Sequence, residues 1–305
     1  MLGSANLDVA LRVPELPRAG ETVLGATRLS GPGGKGLNQA VAAARAGART
    51  RFVGAVGTDP EGAELLRVLA ADGIEALVRT TNGRTGLAVV IVDAAGENAI
   101  VVDPGANAEL VGLGASERAA VTAAQVLLMQ LEVPLPTVTE AAWVARATGT
   151  TVVLNAAPQA PLDVSLCDSI DLLVVNEGEA RALAADTSVA ESRDGRGGPA
   201  EIVERDLDRL LERVPAVLVT LGPRGALYRD RAGARHHEPG REVTVVDTTA
   251  AGDSFAGYLA AALAEGMPVP VALARANAAA ALSVGRRGAV PSVPRRGDVD
   301  ALAVG

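Results

Sequence analysis

Five runs of consecutive, mostly apolar residues recur along this chain, at 52–56, 126–129, 151–154, 172–175 and 217–220. They are rich in Val and Leu and do not alternate with polar residues. Continuous apolarity marks strands buried on both faces, as in a parallel sheet covered by helices. Segments with helical spacing lie between them, among them 61–72, 137–148 and 203–213. Such alternation predicts right-handed βαβ units. The expected fold class is α/β, a doubly wound, mostly parallel sheet flanked by helices. Hydrophobic residues make up 49% of the chain but aromatic ones only 2%, so the core has to be built from Ala, Val and Leu. No internal repeat or linker divides the chain, and residues 1–305 are expected to form one domain.

Two stretches interrupt the pattern. Residues 10–29 carry Pro14 and Pro17 and no long helix signal, while 87–92 and 99–102 read as the arms of a hairpin around 93–98. Residues 188–200 are rich in Gly, Arg and Ser and are expected to form a flexible loop. Leu2 to Asn6 reads as the end of a strand whose earlier part is missing, as if the natural start lay upstream of Met1.

Several function classes fall away on bulk chemistry. A net charge of −8 without a basic stripe argues against nucleic acid as a partner. The single Cys167, between Leu166 and Asp168, reads as a buried structural thiol, and His236 and His237 as surface residues. The first ten residues lack a basic segment followed by an apolar one, and no apolar run reaches the ~18 residues of a membrane span. A cytoplasmic protein is expected.

Near the C-terminus, Asp247-Thr248-Thr249-Ala250-Ala251-Gly252-Asp253-Ser254-Phe255 stands between a β-like stretch at 242–246 and an Ala-rich helical pattern from about Ser254. Ala250, Ala251 and Gly252 permit a sharp turn. The amides opening the helix lack intrahelical partners and make an anion site. Asp253 is a carboxylate planted in that positive field. It would be a poor phosphate ligand but a good acceptor for the proton of a hydroxyl attacking phosphorus. Standing alone, it would be read as a helix cap.

A second glycine-rich run, Gly31-Pro32-Gly33-Gly34-Lys35-Gly36-Leu37-Asn38-Gln39-Ala40, also opens a helix. Gly36 follows Lys35 where a Walker A loop carries Ser or Thr, so the run fits a sugar better than a nucleotide. Gly3 to Asp8 reads as the C-terminal end of a strand of the sheet, where open α/β sheets place ligands, and Asn6 and Asp8, alternating with Ala5 and Leu7, could both face one cleft. A carboxylate and an amide together suit vicinal hydroxyls, although alone the two would be read as an Asx-turn or cap.

Together the two runs resemble the paired signatures of the ribokinase-like (PfkB-type) carbohydrate kinases, and the resemblance extends from Gly3 to about Pro294. It implies an ATP-dependent kinase acting on the primary hydroxyl of a pentose, O5 of D-ribose. By this resemblance Asp253 is the base, and Ala250, Ala251 and Gly252 line an anion hole. Asn6, Asp8, Gly34, Lys35, Asn38 and Glu132 hold the sugar together with Asp253. Asn176, Thr220, Gly222, Gly225, Gly252 and Asn277 hold ATP. Glu179, on its own an ordinary first-turn acid, would order a hydrated Mg²⁺. Asp247, Thr249, Ser283, Arg286, Gly288 and Ser292 would surround K⁺. Residues of about 10–29 and 86–103 would form a small β lid over the sugar and pair two subunits into a homodimer.

The nearest rival is a related kinase for fructose or a deoxy sugar. A nucleoside kinase is disfavoured because bases stack on aromatic side chains and the chain has one Trp, two Tyr and two Phe. A silent sugar-binding relative would not need Lys35, Gly252 and Asp253. A Rossmann oxidoreductase would need a Gly-x-Gly-x-x-Gly after an early strand.

Overall fold

The structure, a computed structural model, describes residues 1–95, 97–185 and 199–303. The loop expected at 188–200 falls outside these as far as residue 198, and Pro199 already opens a helix. The described strands are β1 Asn6–Arg12, β2 Thr27–Gly33, β3 Arg51–Gly57, β4 Glu75–Thr81, β5 Gly86–Val92, β6 Asn98–Asp103, β7 Val126–Met129, β8 Thr151–Asn155, β9 Leu172–Asn176, β10 Ala216–Thr220, β11 Ala226–Asp230 and β12 Arg235–Glu238. The described α-helices are α1 Lys35–Arg45, α2 Pro60–Ala71, α3 Ala115–Thr122, α4 Leu135–Ala147, α5 Val164–Cys167, α6 Glu177–Ala185, α7 Pro199–Leu211, α8 Ala251–Ala264, α9 Val269–Ser283, α10 Ala289–Ser292 and α11 Arg296–Ala303.

Strands β7 to β10 run parallel, and β11 and β12 extend their sheet antiparallel. Leu2 forms parallel bridges to both Val53 and Met129, which joins the β3–β4 pair to the same sheet. Alternate residues of each strand enter opposite cores, as a doubly wound sheet requires. Leu127, Val152, Leu173 and Val217 pack with α3 to α7, while Leu128, Val153, Val174 and Leu218 pack with α1, α2, α8, α9 and α11. Fully burying one such side chain stabilises by roughly 1.5–3 kcal/mol.

Helices α1 and α8 lie against each other because neither carries bulk at the crossing. A Cβ on Gly257 would lie 2.5 Å from the Gln39 carbonyl oxygen and from the Ala42 Cβ. This contact brings both helix N-termini to the carboxyl end of the sheet. At the opposite end, the edges of β3 and β7 beside Met1 bound a cavity of about 410 Å³.

The lid is a separate four-stranded sheet in the order β2-β1-β5-β6. The expected hairpin is present as β5 and β6, turned by Asp93, whose Oδ1 accepts from the Ala95 and Glu97 amides. The region expected at 10–29 is larger and differently divided. Its strands are β1 and β2, so Asn6 and Asp8 sit on a lid strand rather than at the end of a central one.

Residues 242–246 form no strand. Val243, Val245 and Val246 are exposed, and the Val246 and Asp247 amides both donate to the Val284 carbonyl, at 2.7 and 3.1 Å. β-branched residues favour strands only when a neighbouring strand covers them. Helix α8 starts at Ala251 rather than Ser254, which puts the whole small-residue run at its first turn.

Candidate active site

Ala250, the N-cap of α8, adopts the left-handed conformation with φ 59°, and no side chain caps the helix. A non-glycine residue in that region costs roughly 1–2 kcal/mol. The result is a first turn whose amides have no intrahelical partners. A Cβ on Gly252 would meet nothing within 4 Å. The turn borders a cavity of about 610 Å³, whose wall includes Lys35, Asn176, Glu179, Thr220, Gly222 and Asp253.

Helix α1 opens beside it, from Gly34 at φ 89°. Its first amides are already used. Lys35 N donates to Glu132 Oε2 at 3.1 Å, Gly36 N donates to Ser4 Oγ at 3.3 Å, and the Ser4 hydroxyl donates to the same Glu132 oxygen. Glu132 thus caps α1 from the loop after β7, where the positive helix end favours a carboxylate.

The buried Asp253 carboxylate is held on both oxygens. Asn38 Nδ2 donates to Oδ2 at 2.9 Å, and Gln39 Nε2 donates to Oδ1 at 2.8 Å. The buried Asn38 Oδ1 is left without a partner and can accept a hydroxyl. Asn6 Oδ1 accepts from Asn107 Nδ2 at 2.7 Å, and Asn107 also bonds the Ala5 backbone. Asp8 lies over the Gly33 α-carbon, where a Cβ would be only 2.0 Å from its Oδ2.

These charges perturb one another. Burial, then Glu132 and Asp253, push the Asp8 carboxyl up to about 7 against the pull of Lys35. Burial lowers Lys35, but Asp253, Glu132, Glu179 and Asp8 outweigh it and leave the ammonium above its ordinary value. One ammonium among these carboxylates is an arrangement suited to binding and reaction rather than to stability.

Glu179 and Asn176 form a reciprocal capping box at the start of α6, with both bonds at 2.8 Å. Burial raises the Glu179 carboxyl, with the Asn176 amide and Lys35 drawing it back. Asp247 accepts from the Thr249 amide and hydroxyl through Oδ1 and from the Gly288 amide through Oδ2 at 2.9 Å. Those bonds outweigh burial and hold its carboxyl below the usual range.

The structure therefore gathers Asn38, Gln39 and Glu132 with Lys35 and Asp253, and brings Asp247 to Thr249 and Gly288. It does not bring Gly225 or Asn277 to the cavity wall. Gly225 has φ 92° and packs on Glu238 to Gly240, and Asn277 donates to the Pro239 carbonyl at 2.6 Å. The Ser283 and Ser292 hydroxyls turn back onto Ala280 and Ala289, and Arg286 pairs with Asp298. Neither hydroxyl proton is thus spent on Asp247.

Sequence reasoning missed Ser4, Gln39, Asn107, Gln130 and Asn155. Gln39 carried a signal, as a polar residue facing inward beside Asn38 on an otherwise Ala-rich helix. Asn107 carried none, being joined to Ala5 and Asn6 only by the fold.

Residues 1–296 match the pfkB family carbohydrate kinase. The chain is 38% identical to the ribokinase of Haemophilus influenzae over 299 residues, 97% of this chain and 95% of that protein. It is 37% identical to the ribokinase of Bacillus subtilis, covering 99% and 98%. The Thermotoga maritima ribokinase crystal structure superposes with a TM-score of 0.87 at 34% identity, covering 100% of this chain and 98% of that one. The Arabidopsis thaliana ribokinase complexed with ribose and ATP gives 0.85 at 31%, covering 99% and 97%.

Proposed function

The chain belongs to the pfkB family of carbohydrate kinases, and on that footing we propose that it transfers the γ-phosphoryl group of ATP to O5 of D-ribose. It is a phosphotransferase with an alcohol acceptor. The observation that carries the reading is the position of Asp253. Its carboxylate stands between a polar face of Lys35, Asn38 and Glu132 and the cavity lined by Thr220, Gly222 and the open turn of α8.

Asp253 accepts the O5 proton as the O5–P bond forms and the bond from phosphorus to the ADP oxygen breaks. The products are D-ribose 5-phosphate and ADP. Amides from Ala250 to Asp253 hold the charge that spreads over the phosphoryl oxygens, where a preorganised donor is worth several kcal/mol, about 2.7–4 for one oxyanion donor. Lys35 adds a positive charge beside the same wall. Asn6, Asp8 and Asn38 orient the sugar.

Glu179 fits a hydrated Mg²⁺, since its carboxylate borders the cavity and keeps one oxygen outside the capping box. When bound, the ion neutralises phosphate charge. Asp247 and Thr249, whose hydroxyl lies against the carboxylate, would hold K⁺ together with carbonyls of the 283–292 loop, which the Gly288 amide ties to Asp247. Arg45 steadies that loop by donating to the Val290 and Val293 carbonyls while pairing with Asp72.

The lid and central sheet act as one catalytic domain. Exposed Ile100, Val101 and Val102 on lid strand β6 support a homodimer through that strand. No helix among the described residues is long and apolar enough to cross a membrane, and the substrates suit a cytoplasmic setting.

The test is ADP release from ATP and Mg²⁺ across a panel of sugars. Ribose should be turned over best. Equal or better rates with fructose, a deoxy sugar or a nucleoside would overturn the ribose assignment and leave the kinase fold standing.

A further inference from the structure

The polar core beneath the base is a directional chain of amides. Asn155, at the end of β8, donates Nδ2 to the Val174 carbonyl at 3.2 Å, which turns its Oδ1 toward α1. Gln130, at the end of β7, donates Nε2 to Gln39 Oε1 at 2.6 Å. With its oxygen held, Gln39 presents both Nε2 protons in fixed directions, to Asn155 Oδ1 at 3.0 Å and Asp253 Oδ1 at 2.8 Å. Gln39 is completely buried, as is Gln130. Turning its amide around would set Oε1 against two oxygens and Nε2 against a donor, so the arrangement has one low-energy orientation.

A buried glutamine of this kind has a purely structural explanation, that it fills the seam between α1 and the sheet. Three observations go further. The bond to Asp253 comes from the helix that also supplies Asn38, so one helix grips both carboxylate oxygens. The grip acts on the residue at the open turn of α8, not on a distant support. Finally, the anchors Gln130 and Asn155 stand at the ends of β7 and β8, two strands buried on both faces.

We infer that Gln39 is a positioning residue for the base, its carboxamide clamped by Gln130 and Asn155 so that the Asp253 carboxylate keeps a fixed edge toward the acceptor hydroxyl. The inference rests on the kinase reading above. A donor to the charged form favours that form. The charged groups around Asp253 are Lys35 on α1, Asp8 on β1, Glu132 after β7 and Glu179 on α6, and they remain when Gln39 is changed.

The experiment is the pH profile of kcat with ribose, ATP and Mg²⁺ for wild type, Gln39→Met and Gln130→Met, each with a thermal melt. Gln39→Met keeps length and removes the donor. Its acid limb should move upward by about one pH unit, as expected for losing a hydrogen bond to an ionised group. The plateau kcat should fall by ~10-fold, with KM for ATP unchanged. Gln130→Met frees the Gln39 oxygen and should move the limb the same way by less. Should Gln39→Met fail to fold, the limb of Gln130→Met decides. Lower melting temperatures with an unmoved limb in every folded variant would overturn the inference and leave Gln39 as core. Absence of wild-type turnover on ribose would instead count against the kinase reading.

Discussion

Helices α1 and α8 begin side by side with the same device, a residue at positive φ with a glycine two positions on, yet their glycines do opposite things. A Cβ on Gly36 would stand 2.5 Å from the Ser4 amide nitrogen and 2.6 Å from the Gly3 carbonyl carbon. A Cβ on Gly252 would meet nothing within 4 Å. The amides of α1 are taken up by Ser4 and Glu132, whereas α8 has no side-chain cap. The filled end is built for packing, and on the proposed reading it aims its side chains at the sugar. At the open end the Ala251 amide turns to the Thr248 carbonyl at 3.3 Å, and the Gly252 and Asp253 amides are left for something the described residues do not supply. A glycine explained by its neighbours and one left unexplained by them are therefore different signals in the same motif.

The largest effect should come from filling the packed end. Gly36→Ala drives a methyl group into backbone that has no rotamer to yield, and overpacking of this kind costs about 3 kcal/mol or more. A thermal melt should show a large loss, and an unchanged Tm would erase the contrast. At the open end, Gly252→Ala should leave the melt unchanged or slightly higher, since Ala is the better helix former by about 1 kcal/mol. Its turnover should fall by ~10²-fold, the cost of displacing reacting groups by about 1 Å. Retained turnover would show that no reacting group approaches that turn.

Asp8→Ala should weaken ribose binding by about 1–3 kcal/mol, the cost of leaving buried hydroxyls unpaired, with ATP binding unaltered. Equal losses for both ligands in calorimetry would make Asp8 structural. The pH dependence sharpens this. Because the folded-state pKa of Asp8 is raised, to about 7, its contribution to stability is present at low pH and lost as pH rises through that value. As an ionised acceptor for sugar hydroxyls it works in the opposite sense, so ribose affinity should weaken as pH falls below 7. Asp8→Asn should flatten that dependence. The smallest effect is expected from exchanging Na⁺ for K⁺ at constant ionic strength, which should raise turnover through Asp247 and its loop. Identical rates would remove the cation site.

How far the sequence was readable follows the same division. The buried strands declared themselves because double-sided burial leaves no polar residues to break a run such as Val126–Met129. The two glycine runs were legible because their chemistry is local. The stretch at 242–246 misled because its valines have no neighbouring strand, and Asn6 and Asp8 were placed on the wrong sheet because chain order does not reveal that Leu2 alone joins the central one. The supports of the site, Asn107, Gln130 and Asn155, reach their partners across 91 to 116 positions of sequence. Only topology brings those amides together. Glu179 was read as an ordinary helix acid or a metal-ordering one, and the bonds it makes are those of the first, a capping box with Asn176.

The central claim is that Asp253, at the open end, is the base and not merely a structural anchor for Asn38 and Gln39. Asp253→Asn separates the two, because Asn keeps the shape and an acceptor oxygen for these partners but cannot take a proton. The measurement is kcat with ribose, ATP and Mg²⁺ beside a thermal melt of the same preparation. The account predicts a near-normal Tm and a turnover lower by at least ~100-fold, within the usual range for losing a general base. A well-folded variant that keeps most of its turnover would contradict it and leave Asp253 as a structural partner of Asn38 and Gln39.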